Sequence, residues 1–267
     1  MMTQTLDHLV RKLDSLAEAQ SRVIPWSSPI PAFGNPPRSV VATLGLNPSN
    51  KEFVGDDGTE LEGHTRRFQT LKSLGLSRWI DAEERHVEQI GESCLTYFER
   101  NPYDRWFGKL DRLIAETRVS YYGAKAGACH LDLIPFATSC KWTELNARQR
   151  NRLLAAAGNT LGCVLRDSPI KVLILNGRGV VEGFKAVSGA RLVAQRMTPW
   201  DLGRAGRPSV PGLAYSGVVS EVAGVGLGRP LMVLGFNHNL QSSFGVSREV
   251  ADRMRAWIGE SARGLME

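Results

Sequence analysis

The sequence predicts an α/β protein built on four buried parallel strands, and two observations predict it. Four short apolar runs, at 39–45, 128–134, 171–177 and 230–236, lack the alternation of a half-exposed strand and so suit strands covered on both faces. Helical periodicity fills the stretch between the second and third runs, and strand, helix, strand in that order makes a parallel βαβ unit.

The 267 residues, 42% of them hydrophobic, suffice for a full core. The net charge of +6 comes from Arg-rich patches along the chain and favours a polyanionic partner. No run of about 18 apolar residues is present to span a bilayer, and the N-terminus lacks the order of a signal peptide. A cytosolic protein with no membrane association is expected. Cys94, Cys129, Cys140 and Cys163 are scattered, with no Cys-x-x-Cys pair and no histidine at zinc spacing. They read as buried thiols, with no metal and no cofactor.

Leu6, Leu9, Val10, Leu13 and Leu16 fall at helical spacing, so an amphipathic helix opens the chain and is expected on the outside of the domain. Pro25, Pro29, Pro31, Pro36 and Pro37 make 24–38 an extended connector. Residues 1–38 are thus read as an N-terminal helix and Pro-rich connector, ahead of an α/β domain at 39–267. The first strand stops at Gly45-Leu46-Asn47-Pro48-Ser49, and a polar loop then leads to a basic helix that ends at Gly75. Residues 81–117 are helical with a break at Asn101-Pro102, and Trp106, Phe107, Leu110, Leu113 and Ile114 share an apolar face that reads as core. Thr143 is placed to cap a helix reaching about residue 166, and Ser247 to cap one reaching about 260. The Gly- and Pro-containing stretch 191–230 reads as a hairpin or an irregular insertion.

Each apolar run finishes in polar residues: Asn47 with Ser49, Asp132 with Thr138, Asn176, and Asn237 with His238 and Asn239. Parallel strands gather these endings at one edge of the sheet, where open α/β sheets bind their ligands. The inventory holds amides, a carboxylate and an imidazole, with no nucleophile in an elbow motif. It suits hydrolysis by a positioned water, or polar recognition of a planar ligand. Taken singly, Asn47 before Pro48 also reads as a turn former, His238 as a satisfied loop histidine, and Asp132 as a structural ion pair with Arg66 or Arg67.

Three segments carry a resemblance. Gly45-Leu46-Asn47-Pro48-Ser49 is similar to the first motif of the uracil-DNA glycosylase superfamily, in the Gly-x-Asn-Pro form of its mismatch-specific branch. Gly63-His64-Thr65-Arg66-Arg67-Phe68 resembles the segment where that branch carries an Asn-Arg-Phe. Gly235-Phe236-Asn237-His238-Asn239-Leu240-Gln241-Ser242-Ser243 resembles the His-Pro-Ser or Asn-Pro-Ser motif, with Asn239 in place of the proline. The likeness covers about residues 39–258.

The resemblance implies a three-layer sandwich with a central four-stranded parallel sheet flanked by helices, and a monofunctional, monomeric DNA glycosylase. Asn47 would orient the attacking water and His238 would donate to the departing base. Phe53 is the candidate stacking ring, with core as its equal alternative; Phe68 is expected to pack inward. Asn176 joins Phe53 and Asp132 as a base-binding candidate. Ser49, Arg66, Arg67, Lys141, Ser242 and Ser243 would hold the DNA strand, and Leu240 is the candidate wedge, with Phe244 competing. Asp132 departs from the family, standing where uracil-directed members have an asparagine. An ionised carboxylate only accepts hydrogen bonds, so it would repel uracil O4 and favour an exocyclic amino group, as on a modified cytosine. The rival readings are a nucleobase- or DNA-binding module without catalysis, and a hydrolase of free nucleosides or nucleotides.

Overall fold

A computed structural model describes residues 2–204, 206–241 and 245–266. In chain order the elements are α1 (Met2–Val10), α2 (Leu13–Glu18), β1 (Val41–Gly45), α3 (Leu71–Leu74), α4 (Glu84–Leu95), α5 (Asp104–Ile114), β2 (Ala128–Asp132), α6 (Ala147–Ala157), α7 (Thr160–Arg166), β3 (Val172–Asn176), α8 (Arg178–Ser188), β4 (Val193–Arg196), β5 (Leu202–Arg204), β6 (Arg207–Val210), β7 (Leu213–Val222), β8 (Val225–Phe236) and α9 (Arg248–Met266). All four apolar runs form strands, and β2, β1, β3 and β8 lie side by side and parallel.

The sheet does not stop at four strands. Its order is β2-β1-β3-β8-β7-β4, with β7 antiparallel to β8 and β4 antiparallel to β7. The extension arises because β8 is 12 residues long and folds back on β7 through Ala223 and Gly224, both at positive φ (50° and 75°). Two consecutive positive φ values are the backbone of a tight hairpin turn whose twist matches the strands it joins. The remainder of 191–230 supplies β4 and a separate β5–β6 ribbon.

Alternate strand residues face opposite sides, so each face of the sheet has its own core. Ala42, Leu44, Cys129, Leu131, Leu173 and Leu175 pack with apolar residues of α1, α2, α6, α7 and α8. Val41, Ala128, Val172, Ile174 and Leu234 meet an aromatic-rich core closed by α5 and α9.

The N-terminal segment belongs to this body rather than to its outside. Leu6, Leu9, Val10, Leu13 and Leu16 are buried in the first core. The Pro-rich connector is tied to the chain beyond β2: Ile24 N–H donates to Ala137 O (3.0 Å) and Ile30 N–H to Pro135 O (2.7 Å). Phe33 and His130 exchange two backbone bonds of 2.8 and 3.0 Å.

Caps differ in detail. Asn146, not Thr143, caps α6, in a reciprocal box with Gln149, and the helix breaks at Gly158 before α7 begins. Ser247 Oγ accepts from Val250 N–H (3.2 Å) at the start of α9. No described helix is long and apolar enough to cross a membrane. The four cysteines are free thiols, with Cys94 and Cys129 buried.

Candidate active site

Beyond the carboxyl ends of the parallel strands lies a cleft of about 760 Å³. Residues 45–51, 138–142 and 176–180 line it, with Tyr103, Trp106, Glu144, Asn239 and Gln241. The register explains the convergence, because β1 and β2 end in step with Gly45 opposite Asp132, and β3 runs level with β1. Main-chain bonds from Leu133 N–H to Gly45 O and from Ile134 N–H to Leu46 O then hold the Asn47 turn against the segment leaving β2.

Asn47 is fixed in one orientation. Its Nδ2 donates to Pro48 O (3.1 Å) and to Thr138 Oγ1 (3.0 Å), and Thr138 Oγ1 donates its own hydrogen to Cys140 O (2.7 Å). A hydroxyl has one hydrogen to give, so towards Asn47 it accepts, and the amide cannot flip without losing both bonds. Oδ1 is left as an acceptor with no protein partner among the described residues.

Behind Asn47 a smaller pocket of about 50 Å³ is lined by Phe33, Tyr103, Trp106, Phe107, Glu52, His130 and Asp132, together with the turn residues 47–49. Its rings brace one another: Phe33 and Phe107 are 5.3 Å apart, and Trp106 lies 4.7 Å from Phe107 and 4.9 Å from His130. Asp132 pairs with neither Arg66 nor Arg67; the imidazole of His130 stands beside it, with Nε2 3.4 Å from Oδ1. A proton on that Nε2 leaves Nδ1 as an acceptor. Thr43 Oγ1, 2.7 Å away, then donates to Nδ1, and Tyr121 donates to Thr43 across 2.5 Å. Burial pushes the Tyr121 phenol well up, keeping its proton in place. The donors thus all run towards Asp132.

Glu52 reaches the same pocket from the other direction. Ser49 Oγ accepts from Lys51 N–H (3.2 Å) and caps the short turn 50–52, which carries Glu52 inward until it is 3% exposed. Tyr97 OH donates to Oε2 (2.7 Å), and Tyr103 N–H in turn donates to that phenol oxygen (2.9 Å). Burial pushes the Glu52 carboxyl up to about 7, the Asp132 charge adding to the rise while the Tyr97 hydrogen bond and Arg67 oppose it.

Other predicted residues are placed differently. Ser49 and Lys141 line the cleft, and Lys141 is exposed at its rim. Asn176 also lines it, donating from Nδ2 to Gln241 Oε1 (2.7 Å) while its own Oδ1 and Gln241 Nε2 are buried without a partner. Phe53 is 1% exposed and packs edge-on to Trp26 and against Phe68, so it is a core ring and the pocket's rings come from elsewhere. Phe68 packs inward. Arg67 is committed to Asn101 O (2.8 Å) and Lys51 O (2.6 Å) and lies over the Tyr103 ring, buttressing the pocket instead of facing a strand. Arg66 is not among the residues lining the cleft.

His238 is the largest displacement from expectation. It is 4% exposed, does not line the cleft, and its Nε2 lies 2.7 Å from Trp200 O. A carbonyl only accepts, so Nε2 carries the hydrogen. Asn237 beside it holds Leu213 N–H and Pro211 O. Leu240 is 7% exposed and lines a different groove, between α5 and α9, so no wedge projects from it. Ser242, Ser243 and Phe244 lie outside the described residues.

No family model matches the chain, and no curated protein does. Glu52, His130, Phe33, Tyr103 and Trp106 were not legible as site residues, because in the sequence they sit in a polar loop, a buried strand, a connector and a core-like helix face. The one available signal was the Asn101-Pro102 break, which leaves Tyr103 as the residue before α5 and opens that end of the helix to the cleft.

Proposed function

We propose that the protein is a monofunctional DNA glycosylase of the uracil-DNA glycosylase type. It would hydrolyse the N-glycosidic bond of an extruded damaged or modified base and leave an abasic site, in DNA repair or in defence against phage. The observation that carries this reading is the locked amide of Asn47, with an Oδ1 that has no partner among the described residues, in the lining of a pocket of aromatic rings. A base must leave the stack before its sugar bond can be attacked, and it then needs a shaped pocket with rings to lie against. Lys51, Lys141 and Arg178 line the cleft with Glu144, and Lys51 and Arg178 pair with Asp56 and Glu182, so a phosphate backbone would compete with these carboxylates for the two cations.

In this mechanism Asn47 Oδ1 accepts a hydrogen bond from water and aims its lone pair at the sugar. An amide is a poor base, so the water attacks only as the carbon–nitrogen bond opens and the sugar gains oxocarbenium character. The departing base keeps the electron pair of the broken bond and takes up the proton that the water loses; the Asp132 carboxylate accepts hydrogen bonds only, which favours a base with an exocyclic amino group.

The test is incubation with duplexes and single strands carrying uracil, hypoxanthine, mismatched thymine or hypermodified cytosines, followed by alkali to reveal abasic sites. Product that disappears in Asn47→Ala supports the reading. A second reading, a base-binding module without cleavage, draws on the position of His238, whose Nε2 is engaged by Trp200 O and so does not donate to a departing base. DNA binding with no abasic product from any substrate would establish it instead.

A further inference from the structure

We infer that Glu52 is a second base-reading residue, its carboxyl group donating a hydrogen bond where Asp132 accepts one, so that the pocket takes a pyrimidine bearing an amino group. The inference rests on the base-pocket reading above and names the class of base.

Two carboxyl groups line one pocket of about 50 Å³, Glu52 from the turn after β1 and Asp132 from the end of β2. That is about a third of the ~150 Å³ that holds a benzene ring, so the pocket receives the edge of a base whose ring lies in the adjoining cleft, with which it shares Asn47, Pro48, Ser49, Tyr103 and Trp106. Two carboxyl groups facing one small space repel one another when charged, and the Asp132 charge adds to the rise that burial gives the Glu52 carboxyl. Asp132 faces the ring nitrogen of His130, at the end of the donor chain from Tyr121 and Thr43. Glu52 faces Tyr97, Tyr103 through the Tyr97 oxygen, and the Arg67 charge, and its burial outweighs these. It is the group that keeps the proton below about 7.

Each carboxyl also has free capacity towards the pocket. Tyr97 occupies Oε2 of Glu52, and no described residue bonds Oε1. Asp132 receives no hydrogen bond from any described residue within ordinary geometry, its His130 contact being long at 3.4 Å. A buried acceptor and a buried donor left open in one small space are complementary to a base edge. The cytosine edge presents an amino donor beside a ring-nitrogen acceptor; the uracil edge presents O4 and N3–H, the reverse order. An accepting Asp132 beside a donating Glu52 matches the first and opposes the second.

The experiment measures binding without cleavage. Thymidylate single strands carrying one 2′-fluoroarabino-cytidine or one 2′-fluoroarabino-uridine, sugars that resist glycosyl cleavage, are titrated with the full chain by fluorescence anisotropy between pH 5.5 and 8.5. The cytidine strand is expected to bind about tenfold tighter at pH 6, with the advantage shrinking as the pH passes about 7. Glu52→Gln, whose amide supplies the hydrogen permanently, is expected to keep the advantage and lose its pH dependence, and Asp132→Asn to turn the preference towards uridine. Equal affinities at every pH, or an advantage whose pH dependence survives Glu52→Gln, would overturn the inference. Abasic product from uracil strands with no cytidine preference would overturn it and leave the glycosylase reading standing. A pH-dependent cytidine preference with no abasic product from any strand would do the opposite.

Discussion

A Cβ on Gly45 would lie 2.3 Å from Asp132 Oδ1 and 3.0 Å from His130 Nε2. The strand pairing sets these residues opposite one another, and the carboxylate lies across the end of β1 in the space a side chain would fill. The glycine of the first motif and the carboxylate of the second strand are therefore one device. Gly45→Ala is expected to push Asp132 off its position, reducing stability by about 1–3 kcal/mol and erasing any preference for amino-bearing bases. Combining it with Asp132→Ala should cost less than the sum of the two, because the clash is already relieved. Denaturant unfolding of the two single variants and the double variant gives that coupling.

Thr138 holds Asn47 as an acceptor towards Nδ2, a role that valine cannot fill. Thr138→Val is expected to let the amide turn and to lower abasic-site formation about tenfold, the equivalent of one hydrogen bond lost from the transition state. Thr138→Ser keeps the acceptor and should stay near the parent rate. Single-turnover assays of the two variants separate this orienting role from simple loss of the methyl group.

The sheet's parallel core was readable because continuous apolar runs have few other uses, and the gathering of Asn47, Asp132 and Asn176 followed from parallel pairing alone. The outer strands were not readable, since Ala223-Gly224 lacks the usual Asn-Gly signature of the turn it makes. Glu52 was invisible for a related reason: nothing in Asn50-Lys51-Glu52-Phe53 distinguishes a solvated loop glutamate from one that a short turn carries inward. Phe53, its neighbour, showed the aromatic signal but turns to the core. Local composition thus located the strand ends, while the direction of each loop side chain was set by contacts distant in sequence, such as Tyr97 on Glu52.

His238 distinguishes the structural placement from the family likeness. If its ring serves mainly to satisfy Trp200 O, His238→Ala should lower stability by about 1–3 kcal/mol through the buried carbonyl it orphans, yet leave the rate per folded molecule unchanged. Burial lowers the imidazole pKa in the folded state, with the Trp200 bond and Asp201 acting against it. The unfolded chain therefore binds the proton first, so the stability linked to His238 is present above 6.5 and is lost as the pH falls below it. Melting curves across that range, beside rates normalised to folded protein, check both halves; a large loss of rate at full folding would restore a chemical role.

Glu52 has the opposite sign. Its carboxyl rises from the usual 4.5 to about 7 on folding, so the folded state holds a proton that the unfolded chain has already released. The associated stability is complete below 4.5 and falls as the pH rises to about 7, beyond which the slope vanishes. A shift of that size corresponds to about 3 kcal/mol over the interval. Glu52→Gln has no proton to lose, so the difference in unfolding free energy between it and the parent should grow in favour of the variant across this window. Urea unfolding at pH 4.5, 5.5, 7 and 8 measures that difference. A parent and variant that run parallel would mean that Glu52 ionises as freely in the folded chain as in the unfolded one, and that Tyr97 and Arg67 offset its burial in full.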